Sequence, residues 1–166
     1  MTAHLQLSQD ALYPDTDGLP LSNNTKQLRL ILMTQGGLDA LFQNENVFVA
    51  GDLLWHPLKD NPDKERSKAP DVMVIFGQDK RDRRSYKQWE EGNLGPQVVF
   101  EFVSQSNSTR EVEDNKFRFY QKHGVEEYYT IQIGARSRAG CAKATASIRL
   151  NRCRVGSAPD WVSVSS

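Results

Sequence analysis

The chain is poor in the residues from which metal and nucleophile sites are usually built. Its 166 residues include two cysteines and three histidines. Cys141 and Cys153 stand without a second cysteine pair or histidines at ligand spacing, which argues against a structural zinc site. His4, His56 and His123 are scattered, no Ser-His-Asp arrangement is apparent, and no glycine-rich phosphate loop occurs. There is no apolar run of about eighteen residues and no charged-then-apolar leader at Met1. Membrane insertion and secretion are therefore not expected, and a cytoplasmic protein is. Net charge is lacking too, since 21 basic residues balance 21 acidic ones. The balance is uneven along the chain: the first 129 residues hold 15 bases and 20 acids, and from Thr130 onward six bases stand against one acid. Any contact with nucleic acid must then rest on a local basic patch.

Two short runs are present that no absence explains. Pro70-Asp71-Val72-Met73-Val74-Ile75-Phe76 and Gln97-Val98-Val99-Phe100-Glu101-Phe102-Val103 both read as buried strands, and each carries one carboxylate. Alternation puts Val99, Glu101 and Val103 on one face of the second run and Val98, Phe100 and Phe102 on the other. Neither face is polar. An ionised carboxylate among apolar neighbours is costly unless a cation or hydrogen-bond donors satisfy it, so Asp71 and Glu101 are expected to share a partner. A divalent metal is the economical choice.

A length of 166 residues fits one domain with a real core. Residues 1–24, rich in Pro, Asp, Ser and Asn, read as a surface arm. From Thr25 to Phe42 the apolar positions follow helical spacing, weakened in the middle by Gly36-Gly37, so the segment reads as one helix or as a helix broken there. Val47-Ala50 and Asp52-Trp55 form one strand or two, ended by Pro57, and Lys59 to Lys68 is a charged loop. The run Gln78 to Lys87 contains Arg81, Arg83 and Arg84. It reads either as a solvated loop or as a phosphate contact. Ser108-Thr109-Arg110-Glu111 has the form of a capping box. On the helix it starts, Val112, Lys116, Phe119, Tyr120 and His123 share a face, so Lys116 lies inside an apolar stripe. Its stem packs there with the amine in solvent, or the amine serves the two carboxylates. Gly124 closes the helix, and Val125 to Tyr129 opens another strand.

These pieces resemble the PD-(D/E)XK nuclease superfamily, and more narrowly the Uma-type restriction-endonuclease-like family. The matching residues are Pro70-Asp71 at a strand start, Glu101 in Val-Val-Phe-Glu-Phe-Val-Ser, Lys116-x-x-x-Tyr120, and Gly124-Val125-Glu126-Glu127-Tyr128-Tyr129. The resemblance spans Tyr13 to Tyr129. It implies an α/β (α+β) fold with a central mixed β-sheet flanked by helices, over residues 25–133. The lysine that the superfamily places two residues after the glutamate is absent, Val103 standing there; the Uma-type pattern relocates it to the next helix, onto Lys116. Some superfamily members also carry an acid on the first helix, where Gln27 is the nearest polar residue here. That role is not carried over.

The resemblance implies a metal-dependent endonuclease that hydrolyses DNA phosphodiester bonds. Asp71 and Glu101 would be ligands to magnesium or manganese and, with Lys116, catalytic. Arg81, Arg83 and Arg84 are the expected nucleic-acid contacts. Carboxylate oxygens suit such hard ions. Double-strand cleavage by one small domain calls for two active sites, hence a homodimer. Two rivals remain: a catalytically inactive nuclease-fold domain that binds nucleic acid or protein, and an interaction domain in which Glu101 and Lys116 form a buried ion pair.

The stretch 134–166 departs from this pattern, since the family would continue with a strand and an Asn-Pro-Asp turn. Reading a shifted frame, with the third base of each codon joined to the first two of the next, Tyr129 to Ile133 can spell Tyr-Asn-Pro-Asp, and two tryptophans follow. Residues after about Tyr129 therefore read as frameshifted readthrough with poorly specified structure.

Overall fold

A computed structural model describes residues 13–15, 25–59, 67–104, 110–133, 148–152 and 160–163. Most of the expected arm, the capping-box residues Ser108 and Thr109, the middle of the 59–68 loop, Cys141, Cys153 and most of the 134–166 tail lie outside the described residues.

Helix α1 spans Thr25–Leu41 and runs unbroken through Gly36-Gly37, which settles the alternative left open by the sequence in favour of one helix. Glycine in a helix interior costs about 1 kcal/mol relative to alanine. Packing offsets that cost: Ile31 is buried on the sheet, and Leu30, Leu38 and Phe42 join its cluster.

Strands β1 (Val47–Gly51), β3 (Val72–Phe76), β5 (Val98–Ser104), β6 (Glu127–Ile133), β7 (Ile148–Arg152) and β8 (Asp160–Ser163) form one mixed sheet in that spatial order. Within this sheet β5 and β6 pair in parallel and the other described strand pairs are antiparallel. The crossover between them holds helix α2 (Arg110–Lys122). β7 and β8 come from the stretch expected as an aberrant tail, and they extend the sheet beyond β6. A small second sheet pairs β2 (Trp55–His56) with β4 (Tyr86–Lys87). Asp52, with φ of 49°, separates β1 from β2 and so splits the 47–55 run.

The two faces of the sheet are covered by different helices. Phe48, Ala50, Met73, Ile75 and Val99 meet Phe119, Tyr120 and Val125 on the α2 side. Val49, Val72, Val74 and Phe102 meet Ile31 of α1 on the other. Strand β5 is thus buried on both faces, which is why its sequence alternates between two apolar sets. Tyr13 departs from the expectation of a surface arm. It is buried, against His56 and Trp89, and the His56 Nε2 lies 3.0 Å from the Pro14 carbonyl.

Helix α2 stops at a backbone motif that the sequence signals. The Val125 N–H donates to the Tyr120 carbonyl at 3.0 Å and the Gly124 N–H to the Gln121 carbonyl at 3.3 Å, with Gly124 at φ +84°. Val125 is spent on this cap, so β6 starts two residues later than expected, at Glu127. Gly124→Ala should therefore lower stability by about 1 kcal/mol, as a left-handed residue gains a Cβ. Urea denaturation measures it, and an unchanged midpoint would show that the cap carries no strain.

Candidate active site

The strand pairing assembles the site. Val72 pairs with Phe100, Met73 with Val99 and Val74 with Val98. Continued by one residue, this antiparallel register sets Asp71 opposite Glu101, at a spacing where cross-strand side chains interact. These two carboxylates, expected from the sequence to share a partner, are both buried, 6% and 3% exposed.

Each carboxylate has its own donors. Asp71 Oδ2 accepts the Phe102 N–H at 2.6 Å, and the Gln27 amide of α1 reaches the same group at 3.3 Å and 3.4 Å. Glu101 sits between two residues of α2: Lys116 Nζ donates to Oε2 at 2.6 Å, and the Tyr120 hydroxyl donates to Oε1 at 2.6 Å. Lys116 and Tyr120 are four residues apart and so lie together on the helix. The strand alternation that turns Glu101 to the Val99 side aims it at this pair. Lys116 is in contact with solvent, its side chain 31% exposed against 4% for Glu101.

Burial raises the proton affinity of both acids. It pushes Glu101 up to about 7, opposed by Lys116 and reinforced by the negative charge of Asp71. Asp71 is also raised by burial, against the Phe102 N–H, Lys116 and Gln27. Tyr120 is raised well above its ordinary value, first by burial and then by Glu101, so it stays a proton donor.

The donor set fits a hard divalent cation: two buried, mutually repelling carboxylates with oxygen ligands whose negative charge such an ion would offset. No group of three or more His, Cys, Asp or Glu that could hold a metal occurs among the described residues. Water and substrate would supply the remaining ligands, as magnesium prefers.

Two participants were not assigned by sequence. Tyr120 belonged to the quoted motif without a role, and its four-residue offset from Lys116 was the available signal. Gln27 was named but given no task; its signal is an amide on the buried face of α1, beside Ile31. The Phe102 N–H, being backbone, has no sequence signal.

The basic run is placed differently from a free cationic loop. The Arg83 side chain is 3% exposed, lies 4.3 Å above the Phe48 ring, and holds Glu91 with Nε and Nη2 at 3.0 Å each. Arg81 bonds the same Glu91 at 2.7 Å and Asp79 at 3.2 Å. Arg84 is 84% exposed and pairs with Asp15 at 2.6 Å. The structure does not bring the three arginines into the Asp71–Glu101 site as hydrogen-bond partners. Arg83 is a packed structural cation, and the surface character expected of the whole run holds for Arg81 and Arg84.

A family model described as "Putative restriction endonuclease" (Uma2) matches residues 5–163. The chain belongs to that family. The match covers the 25–133 region and most of the tail beyond it. No curated protein matches the chain. A solved structure described as a putative nuclease belonging to DUF820, from Anabaena variabilis, is 14% identical with a TM-score of 0.48. The alignment covers 66% of this chain and 57% of that one, so the chain spans little more than half the length of that protein. Among the described residues no helix is long and apolar enough to cross a membrane.

Two predictions follow from the electrostatics of this Uma2-family site and its neighbour. Glu101 holds its proton more tightly in the folded chain, about 7 against an ordinary 4.5. Its contribution to stability is therefore complete below pH 4.5 and is lost as pH rises through about 7. In chelator, the melting temperature should fall across that window, and Glu101→Gln should flatten most of the fall; an equal slope in the variant would assign the titration elsewhere. Separately, Arg83→Met should cost about 2 kcal/mol in urea denaturation, because it removes an enclosed cation that bonds Glu91, Asp79 and the Asp79 and Arg81 carbonyls, although Arg81 and Gln78 still donate to Glu91. Arg84→Ala should stay within about 0.5 kcal/mol. Equal effects of the two substitutions would place Arg83 on the surface.

Proposed function

We propose that the protein is a metal-dependent endonuclease that hydrolyses phosphodiester bonds of DNA, with Asp71 and Glu101 as ligands to magnesium or manganese and Lys116 as the catalytic cation. The observation that supports it is the convergence on Glu101: a strand carboxylate faced by Asp71 across the register and held by Lys116 at 2.6 Å. When bound, a divalent ion supplies a polarised phosphoryl group and an activated water. The chain's own residues do the rest. Tyr120 fixes Oε1 of Glu101, and Gln27 and the Phe102 N–H fix Asp71, so both carboxylates keep their orientation through turnover. Lys116 reaches solvent from the same pair, which places its amine where a phosphate oxygen can approach. There it stabilises charge that develops in the transition state. Arg81 and Arg84 are the proposed backbone contacts, each removing about 0.9 log units of salt dependence per phosphate when lost. The protein would act in the cytoplasm, and two copies would cut both strands.

A second reading is favoured by the same 2.6 Å contact: a closed Lys116–Glu101 pair is also what a structural ion pair in an inactive, nucleic-acid- or protein-binding domain would show. The reading of the tail as frameshifted is proposed on the sequence alone, and the coding DNA tests it: an early stop in the alternate frame ends it.

Metal titration separates the two readings of the pair. Manganese at about 100 times its Kd should stabilise the parent by about 2.7 kcal/mol, and apparent affinity should rise with pH up to about 7, as Glu101 must lose its proton. Asp71→Asn and Glu101→Gln should abolish that stabilisation and plasmid nicking while the chain stays folded. Lys116→Met should keep metal binding and lose at least about 100-fold in rate. If metal never raises the melting temperature and the Lys116→Met, Glu101→Leu double variant melts at or above the parent, the pair is structural and the nuclease reading falls.

A further inference from the structure

Strand β1 ends the six-stranded sheet on the side away from β8. Its inner side pairs with β3, and two bonds fix which residues face inward: the Gly77 N–H donates to the Asn46 carbonyl at 2.7 Å, and the Asp52 N–H to the Asp71 carbonyl at 3.2 Å. Bonded positions alternate in an antiparallel pair, so Phe48 and Ala50 turn their backbone groups to β3 while Val49 and Gly51 turn theirs outward. Neither outward residue has a hydrogen-bond partner on that side among the described residues. Val49 is nevertheless 4% exposed. Backbone groups screened from water and left unpaired are costly, and a strand edge in that condition is a template for another strand.

The edge is recessed in a cleft of about 280 Å³. One wall is α1, through Gln35 and Asp39, and the other is the segment after β3, through Lys80, Asp82 and Arg83. The cations of the cleft are committed. Lys80 Nζ donates to the Phe42 carbonyl at 2.6 Å, and Arg83 bonds Glu91, Asp79 and two backbone carbonyls. The carboxylates are not: Asp39 and Asp82 make no ion pair or side-chain hydrogen bond among the described residues. What stays unpaired is a short row of backbone groups beside two negative charges.

We propose that this cleft binds an extended basic peptide segment of a partner protein, which adds to β1 as an antiparallel strand. The peptide residue opposite Val49 exchanges both backbone hydrogen bonds with it, and the residue two positions away does the same with Gly51. Directly opposed side chains share a face, and Val49 faces α1, so the side chain opposite Val49 meets the wall that carries Asp39. A lysine or arginine there answers the unpaired carboxylate. A second copy of β1 is a poor occupant: it would arrive between its own α1 and its own 80–83 segment, and two recessed edges cannot meet. The proposal does not depend on the nuclease reading, since β1 is separated from Glu101 by β3.

NMR titration of the full ¹⁵N-labelled chain with the blocked peptide acetyl-Thr-Val-Lys-Val-Thr-amide tests it. The Val49 and Gly51 amide signals should shift saturably. Methylating the backbone nitrogen of the central lysine should weaken binding at least about tenfold, because that N–H faces the Val49 carbonyl; methylating the next valine, whose N–H points away, should change it less than about twofold. Glutamate in place of the lysine should also weaken binding at least about tenfold. Asp39→Lys should reverse the preference between the lysine and glutamate peptides, and a base in the last turn of α1 suits the helix dipole, so the fold is kept. No saturable shift at Val49 and Gly51 up to about 1 mM peptide overturns the proposal. Equal binding of the two methylated peptides overturns the added strand, and an unchanged charge preference in the Asp39→Lys variant overturns the basic partner.

Discussion

The site depends on one placement: a glutamate in the middle of a strand that is buried on both sides. β5 lies between α1 and α2, and alternation gives one of its two apolar faces to Glu101. Desolvation alone would keep that carboxyl protonated. Lys116 and Tyr120 oppose that tendency from one helix, and Asp71 reinforces it from the neighbouring strand. The net proton affinity, about 7, is the outcome of that competition and leaves the group able to change charge near neutral pH. Each neighbour is fixed by a different level of structure. The register fixes Asp71, the crossover helix fixes Lys116 and Tyr120, and α1 contributes Gln27.

Much of this was legible because burial and chemistry disagreed in the sequence. A glutamate flanked by Val99, Phe100, Phe102 and Val103 cannot be a surface residue without exposing its neighbours, and a lysine in the stripe of Phe119 and Tyr120 raises the same conflict. Those conflicts named Asp71, Glu101 and Lys116 before any coordinates. Gln27 was harder, since a neutral amide on an apolar helix face costs little if it finds one partner, and its partner lies 44 residues away. Gly36-Gly37 left the continuity of α1 open for a different reason: local propensity favours a break there, and the tertiary packing of Ile31 and Leu38 outweighs it.

The arginine-rich run shows where composition misleads. Arg81, Arg83 and Arg84 look alike in sequence, yet their side chains are 56%, 3% and 84% exposed. What separates them is the Phe48 and Tyr86 rings that Arg83 lies against, since Arg81 reaches the same Glu91 from a more exposed position. Besides its two bonds to Glu91, Arg83 donates through Nη2 to Asp79 Oδ1 at 2.7 Å and through Nη1 to the Asp79 and Arg81 carbonyls, so its five N–H groups are all engaged and none is left for a phosphate backbone. Within this run, the phosphate contacts proposed above are therefore left to Arg81 and Arg84.

The exposure difference across the Lys116–Glu101 pair bears on what the pair is for. A pair retained only for stability gains most when both partners are enclosed and fully hydrogen-bonded, and even then apolar replacements are often as stable. Here the acid is enclosed and the base is not: Glu101 is 4% exposed and Lys116 31%. The lysine is thus held by a buried anion at one end of its reach and stays open to solvent at the other. Moving its amine by one rotamer would leave Glu101 with Tyr120 on one oxygen and the other oxygen free. A cation from solution could take that oxygen, and the displaced amine would remain at the mouth of the same site. Asymmetric burial of this kind adds little to a static ion pair, but under the proposed function it would let a metal ion exchange with the lysine on Glu101.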